Sequence, residues 1–246
     1  MNKLRCLSSN TIKIIAAISM LLDHMGYLLF PSVIWLRAVG RLALPIFAFM
    51  ISEGAKYTKN KLRYFLTVLI FGVVCQIPYI LMENDWHLNI FLTFALSILI
   101  IYSLDYFKKC MLNRNCKITF KALSLLLLLV AIVGTLHLNT KILSVHFDYG
   151  FYGCIMAVFA SIPTLNGISA PEWVRYVDNI PVRILCMLVP LFIFSHSVGG
   201  YQYASLLALP LLLLYSGKRG KYNMKYFFYF FYPLHIVIIY GISLLF

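Results

Sequence analysis

Residues 14–30 read IIAAISMLLDHMGYLLF, with Asp23 and His24 side by side in a run otherwise suited to hydrocarbon. The apolar stretch extends over about residues 12–31, and about 20 helical residues at 1.5 Å each cross a hydrocarbon core of roughly 30 Å. Outward from it the pattern repeats. Further apolar runs lie at about 33–53, 63–82, 88–105, 119–138, 149–164, 181–197, 201–216 and 226–245, divided by short polar or basic loops. The 246 residues are 62% hydrophobic and 12% charged, with a mean hydropathy of +0.86. A water-soluble domain carries about twice that charge fraction. Backbone in lipid must satisfy its own hydrogen bonds, and nothing here alternates as barrel strands do. The expectation is an all-α, polytopic transmembrane bundle of about nine spans. No long linker, low-complexity tract or internal repeat is visible, so residues 1–246 are read as one membrane domain. The first run has span length and a charged pair but no small-x-small cleavage site, so it is expected to stay as a span.

The net charge of +13 could suggest nucleic acid, but its distribution argues for topology. With the N-terminus in the cytoplasm, all of the 21 basic residues except Arg37, Arg41 and Lys141 fall on the inner side. That is the positive-inside pattern, and an odd number of spans puts the C-terminus outside. The expected partners are therefore the lipid bilayer, not nucleic acid. The six cysteines lie mostly in spans or an inner loop without CxxC spacing, which supports neither a disulfide framework nor a metal site.

Depth brings the polar exceptions together. If the first span enters near Ile12, His24 lies about 18 Å in, roughly 12 Å below the outer edge of the core. If the second returns near Val33, Arg41 lies about 12 Å below the same edge. His235, in the last span, lies about 14 Å in. Asp23 is about 100° round the helix from His24, so it can face either His24 or Arg41. A charge at the bilayer centre costs roughly 2.5–3.5 kcal/mol, so Asp23 and Arg41 should face each other or water. They could form a structural interhelical pair, with His24 bonded to a backbone carbonyl. An imidazole beside a carboxylate and a guanidinium also supplies a proton acceptor, its orienter and an oxyanion stabiliser.

Other polar positions sit at span ends. Asn89 and Thr93 in WHLNIFLTF, and Asp148 and Tyr149 in HFDYG, lie at outer ends and could line an outward cavity for an acceptor, although interfacial Trp, Tyr or His residues more often serve only as headgroup anchors. Glu53 and Lys56 in SEGAKYTKN mark the inner end of the second span, where a solvated helix end is the simpler reading.

The segments KIIAAISMLLDHMGYLLFP (13–31), LRAVGRLALPIFAFMISEGAKYTKNKLRYFLTVLIFGVVCQIPY (36–79), LNIFLTF (88–94), DYGFYG (148–153) and FFYFFYPLH (227–235) together resemble the TraX family, which includes a conjugative-plasmid protein that N-acetylates pilin. The layout is also similar to that of the wider transmembrane acyltransferases, with a histidine on the first span, arginines soon after and a late Tyr/His motif. On that resemblance His24 matches the catalytic histidine, Arg37 and Arg41 the arginine pair, and Tyr232 and His235 the late motif. It implies acetyl transfer from cytoplasmic acetyl-CoA to an amine or hydroxyl acceptor in the cell envelope, in the bacterial inner membrane, without a metal. His24, Asp23, Arg41 and His235 are then the candidate catalytic residues. Arg37, Arg41, Tyr232, Glu53 and Lys56 are candidates for holding the donor. The competing class is a proton-coupled transporter or flippase with Asp23 and His24 as a relay. The absence of an inverted repeat and a site off the midplane speak against it.

Overall fold

The apolar runs emerge as helices in the computed structural model, which describes residues 5–83, 87–113, 115–138, 146–165, 172–222 and 224–245. In chain order they are α1 (Ser9–Leu28), α2 (Ile34–Gly40), α3 (Ala43–Tyr57), α4 (Lys61–Glu83), α5 (Ile90–Leu112), α6 (Ile118–Leu138), α7 (Gly150–Ser161), α8 (Glu172–Arg175), α9 (Ile180–Val198), a 3₁₀ segment (Gly200–Leu207), α10 (Ala208–Leu213) and α11 (Lys225–Ser243). Two short strands, β1 (His87–Leu88) and β2 (His146–Phe147), pair in parallel. Lys3, Arg114 and Lys141 lie outside the described residues.

Six helices among the described residues are long and apolar enough to cross a membrane: Ser9–Leu28, Ile34–Tyr57, Ile90–Leu112, Ile118–His137, Ile180–Val198 and Tyr226–Ser243. The third run of the sequence is α4, of 23 residues. The sixth and eighth runs are shorter than the span pattern requires. Helix α7 has 12 residues, about 18 Å of rise, and the run from residue 201 is a 3₁₀ segment followed by the six-residue α10. Apolar surface also faces outward: on α6, Leu125, Leu126, Leu127, Leu129, Val130 and Val133 are all exposed. Such a face is incompatible with water and suited to lipid, as expected of a multi-pass helical membrane protein.

The chain clusters into two compact units, Met1–Met50 with Leu188–Phe246, and Ile51–Met187. In the first unit, α1 packs along α2 and α11. Glycine permits the close approach of α1 and α2. A Cβ on Gly26 would stand 2.8 Å from Leu36 Cβ, and one on Gly40 would stand 2.3 Å from Asp23 Cβ. The second run is not one straight helix. Pro45 has no N–H for the Arg41 carbonyl and its ring crowds that oxygen, so the helix breaks at Arg41 and Leu42, between α2 and α3. At the other end of α1, Ser8 caps the helix by accepting from the Thr11 amide at 3.2 Å. The next amides, Ser9 and Asn10, donate to the Lys218 and Arg219 carbonyls of the loop after α10.

In the second unit, α5 packs against α4, α6 and α7. Asn89 caps α5, its side chain accepting from the Phe91 amide at 3.0 Å. Its amide nitrogen donates to Gly72 O and Gln76 Oε1 of α4, both at 2.8 Å.

Candidate functional site

The polar layer expected from depth forms within the first unit. His24 on α1 and His235 on α11 meet edge to face, ring centroids 4.9 Å apart. His24 Nδ1 lies 2.8 Å from the Met20 carbonyl, and His235 Nδ1 lies 2.7 Å from the Phe231 carbonyl. A carbonyl only accepts, so in the neutral rings both Nδ1 atoms carry the proton. His235 Nε2 is then a free acceptor 3.3 Å from His24 Nδ1, and the His24 Nδ1–H is shared between it and Met20 O. The consequence is that His24 Nε2 keeps its lone pair, and no hydrogen bond reaches it among the described residues. Phe231 stacks on His235 at 4.9 Å, and the buried Tyr232 meets the same ring edge to face at 5.8 Å.

Asp23 turns away from this pair and toward the arginines. Its Oδ1 lies 3.1 Å from Arg37 Nη1 and 3.2 Å from Arg41 Nη2. Neither approach has hydrogen-bond alignment, since Asp23 Oδ1 and Arg41 Nε are both buried without a hydrogen-bond partner among the described residues. Among the described residues the one aligned bond from the arginines runs from Arg37 Nη1 to the Asp23 backbone carbonyl at 3.1 Å. Each guanidinium has five N–H donors, so the pair holds donors and one net positive charge in excess of Asp23. An oxyanion with several acceptor oxygens fits that surplus.

Aromatic faces complete the arginine pair, and the sequence reading missed them. Tyr27 lies 5.1 Å from the Arg37 guanidinium carbon. Tyr201 lies 5.9 Å from that of Arg37 and 5.2 Å from that of Arg41. Tyr201 was hidden in a run counted as a span. The available signal was Gly199–Gly200 just before it: both adopt positive φ, at 73° and 54°, and the chain turns there.

The remaining candidates fall in the second unit. Glu53, read as a donor-binding residue, pairs with Arg183 of α9, which also bonds Ser52 Oγ at 3.0 Å and the Ala160 carbonyl at 2.9 Å. Lys56 pairs with Asp178 at 2.5 Å. Arg183, counted in the sequence as an inner-loop charge, lies inside α9 and is only 1% exposed. Asn89 is the helix cap described above. Thr93 Oγ1 donates to the Asp148 carbonyl at 3.0 Å, and Tyr149, with φ 58°, forms the left-handed turn that opens α7. Asn89, Thr93, Asp148 and Tyr149 thus join α4, α5 and α7 through backbone contacts. Among the described residues these contacts are those of a folding node.

Comparison with known proteins agrees with the pattern along the chain. The chain is 28% identical over 246 residues to the "Probable fimbrial assembly protein FimC, serogroup H1" of Dichelobacter nodosus, covering 94% of each chain. It is 35% identical over 92 residues to an uncharacterized protein of Rickettsia prowazekii (strain Madrid E), covering 37% of this chain and 35% of that one. No solved structure matches it. The family model described as "TraX protein" matches residues 8–243, nearly the whole sequence including every residue of the histidine and arginine cluster, and the chain belongs to the TraX family.

Proposed function

We propose that this chain is an integral-membrane acyltransferase of the bacterial inner membrane, with its N-terminus in the cytoplasm and its C-terminus outside. It moves an acetyl group from cytoplasmic acetyl-CoA to an amine or hydroxyl at the outer side. The observation that carries the reading is the arrangement of His24: its Nδ1–H is held by Met20 O and His235, which leaves Nε2 as the base, in the same unit as a donor-rich arginine pair. His24 Nε2 takes the proton of the acceptor as its nitrogen or oxygen attacks the thioester carbonyl. A guanidinium N–H of Arg37 or Arg41 receives the developing oxyanion. The tetrahedral intermediate then expels the CoA thiolate, and the proton on His24 returns to the sulfur. Asp23 keeps the arginines in place and takes no part in orienting the base. A relative named for fimbrial assembly supports a protein acceptor such as pilin.

The experiment is thioester turnover by detergent-purified protein with acetyl-CoA and a pilin N-terminal peptide. Wild type is expected to release CoA in step with peptide acetylation, and His24→Ala to lose about 10²–10⁴-fold while keeping its melting temperature. Full activity in His24→Ala would overturn the assignment of the base. The His24–His235 hydrogen bond is also what a proton relay between α1 and α11 requires. Proton flux in proteoliposomes without thioester turnover would establish the transporter in place of the enzyme.

A further inference from the structure

The two arginines are held unequally. Both carry the same charge and converge on Asp23 Oδ1, at 3.1 and 3.2 Å, without hydrogen-bond alignment. Arg37 has a second hold in the bond from its Nη1 to the Asp23 carbonyl. Arg41, at the C-cap of α2, lacks an equivalent, and its Nε is buried and unbonded among the described residues. A side chain of this length loses much rotamer freedom when fixed in one geometry, so a further contact must offset that loss.

Tyr201 supplies it. The ring lies 5.2 Å from the Arg41 guanidinium carbon and 5.9 Å from that of Arg37. The negative face of an aromatic ring attracts a cation at this range, more strongly where water is scarce, and the Arg41 side chain is 11% exposed. The backbone aims the ring. Successive residues of a 3₁₀ turn stand about 120° apart, so Gln202 and Ser205 share one face of the segment Gly200–Leu207 and Tyr201 lies on another. The Gln202 and Ser205 face is buried and tied to α9 by the Ser205–Ser195 hydrogen bond of 2.9 Å. Tyr201 meets the arginines where the segment packs on α2. The turn that starts the segment is closed by two bonds, from the Gly199 amide to the Ser195 carbonyl at 2.9 Å and from the Gln202 amide to the Gly199 carbonyl at 3.1 Å. The segment is thus a bracket, fixed to α9 on one face and presenting a ring to the arginines on another.

We propose that Tyr201 is a positioning residue: its ring fixes the Arg41 guanidinium so that an Arg41 N–H meets the oxyanion that develops on the thioester carbonyl. The inference rests on the reading of the cluster as an acyltransferase site. It assigns the oxyanion to Arg41, because Arg37 already gives its aligned bond to the Asp23 carbonyl. The ring and not the hydroxyl is what the arginines use, since Tyr201 faces both guanidinium groups and no hydrogen bond reaches its Oη among the described residues.

The test is single-turnover acetyl transfer from acetyl-CoA to a pilin N-terminal peptide, followed by mass spectrometry and expressed per folded molecule of full-length protein. The proteins are wild type, Tyr201→Phe, Tyr201→Leu, Tyr27→Leu, Arg41→Ala and the combination of Tyr201→Leu with Arg41→Ala. Tyr201→Phe keeps the ring and is expected to keep the rate. Tyr201→Leu is expected to lose about 3–30-fold, the worth of a partly desolvated cation–π contact. Tyr27→Leu should lose less, because Arg37 retains Tyr201 and its bond to the Asp23 carbonyl. In the Arg41→Ala background Tyr201→Leu should cost nothing further, because the group it positions is gone. A tyrosine with only a packing role would lower the folded fraction and leave the rate per folded molecule unchanged, so a wild-type rate in Tyr201→Leu overturns the inference. An equal loss in Tyr201→Phe overturns it by making the hydroxyl the active group, and an undiminished loss in the Arg41→Ala background overturns it by removing Arg41 from the path. A larger loss in Tyr27→Leu than in Tyr201→Leu moves the role to Arg37 and also overturns it. No transfer by folded wild type overturns the acyltransferase reading itself, a result distinct from transfer that Tyr201→Leu leaves intact.

Discussion

His235 Nε2 accepts from His24 Nδ1 at 3.3 Å, so a residue on α11 helps to fix which nitrogen of a residue on α1 carries the proton. The Met20 carbonyl does the same from within α1, and the two acceptors together exclude the other tautomer. In the proposed reaction His235 therefore acts through His24. His235→Ala is expected to lower kcat about tenfold, the equivalent of one hydrogen bond of about 1.4 kcal/mol, with KM little changed. His24→Ala should lose far more. Single-turnover acetylation of the two variants checks the order, and a larger loss in His235→Ala would make His235 the base.

Gly40 sets the distance between α1 and the arginine pair. A methyl group there would stand 2.3 Å from Asp23 Cβ and 2.5 Å from Asp23 Oδ1, closer than any real contact. Either the carboxylate leaves the guanidinium groups or α2 withdraws from α1. Gly40→Ala is expected to cost about 1–3 kcal/mol, as overpacked sites do, and to weaken acetyl-CoA through the displaced arginines. Gly134, on α6, has nothing within 4 Å of its Cβ position. Gly134→Ala should be neutral or stabilise by up to about 1 kcal/mol, because a helix interior favours alanine. Unfolding by SDS in mixed micelles measures both. Equal effects would show that close approach at Gly40 is not what matters.

The convergence of His24, Arg41 and His235 was legible because depth follows from counting residues along a span. Rotation about the helix axis was not. Asp23 and His24 point about 100° apart, and only the positions of α2 and α11 decide that Asp23 takes the arginines and His24 takes His235. The partner of Arg183 was not legible for a related reason. A basic residue two positions after Pro181 at the start of an apolar run looks like a topology signal, and its acidic partner lies 130 residues away. The run at 201–216 looked like a span because hydropathy does not register the turn at Gly199–Gly200. Asn89 carried a helix-cap signal, an Asn before an apolar run, and the structure uses it as the cap of α5.

That cap gives a further expectation. Asn89 is fully buried and holds both the start of α5, through Phe91, and the flank of α4, through Gly72 and Gln76. Asn89→Ala should destabilise by about 2 kcal/mol from the lost cap on the Phe91 amide and the lost side-chain bonds to Gly72 and Gln76. Asn89→Asp keeps the acceptor for Phe91 but loses the donor to α4, so it should recover only part of the stability. Acetylation per folded molecule is expected to be unchanged in both. A tenfold rise in acceptor KM without loss of stability would return Asn89 to the acceptor site.

Glu53 and Arg183 offer the sharpest separation of structural from functional charge. The pair is almost completely buried, and Ser52 and the Ala160 carbonyl share the guanidinium. Removing one partner of such a pair leaves an uncompensated charge, so Arg183→Met should cost about 3–5 kcal/mol. Glu53→Gln keeps an acceptor oxygen for Arg183 and should cost less. If the cost of Arg183→Met is the stranded carboxylate, then Glu53→Gln combined with Arg183→Met should be more stable than Arg183→Met alone by at least about 1 kcal/mol. The sequence reading of Glu53 as a donor ligand makes a different demand. A carboxylate in the donor pocket changes the affinity for acetyl-CoA when it is neutralised, whatever happens to stability. The expected result is strong coupling in the unfolding cycle and an unchanged Kd for acetyl-CoA in Glu53→Gln. A shifted Kd with additive stabilities would put Glu53 back in the pocket and make its bond to Arg183 incidental.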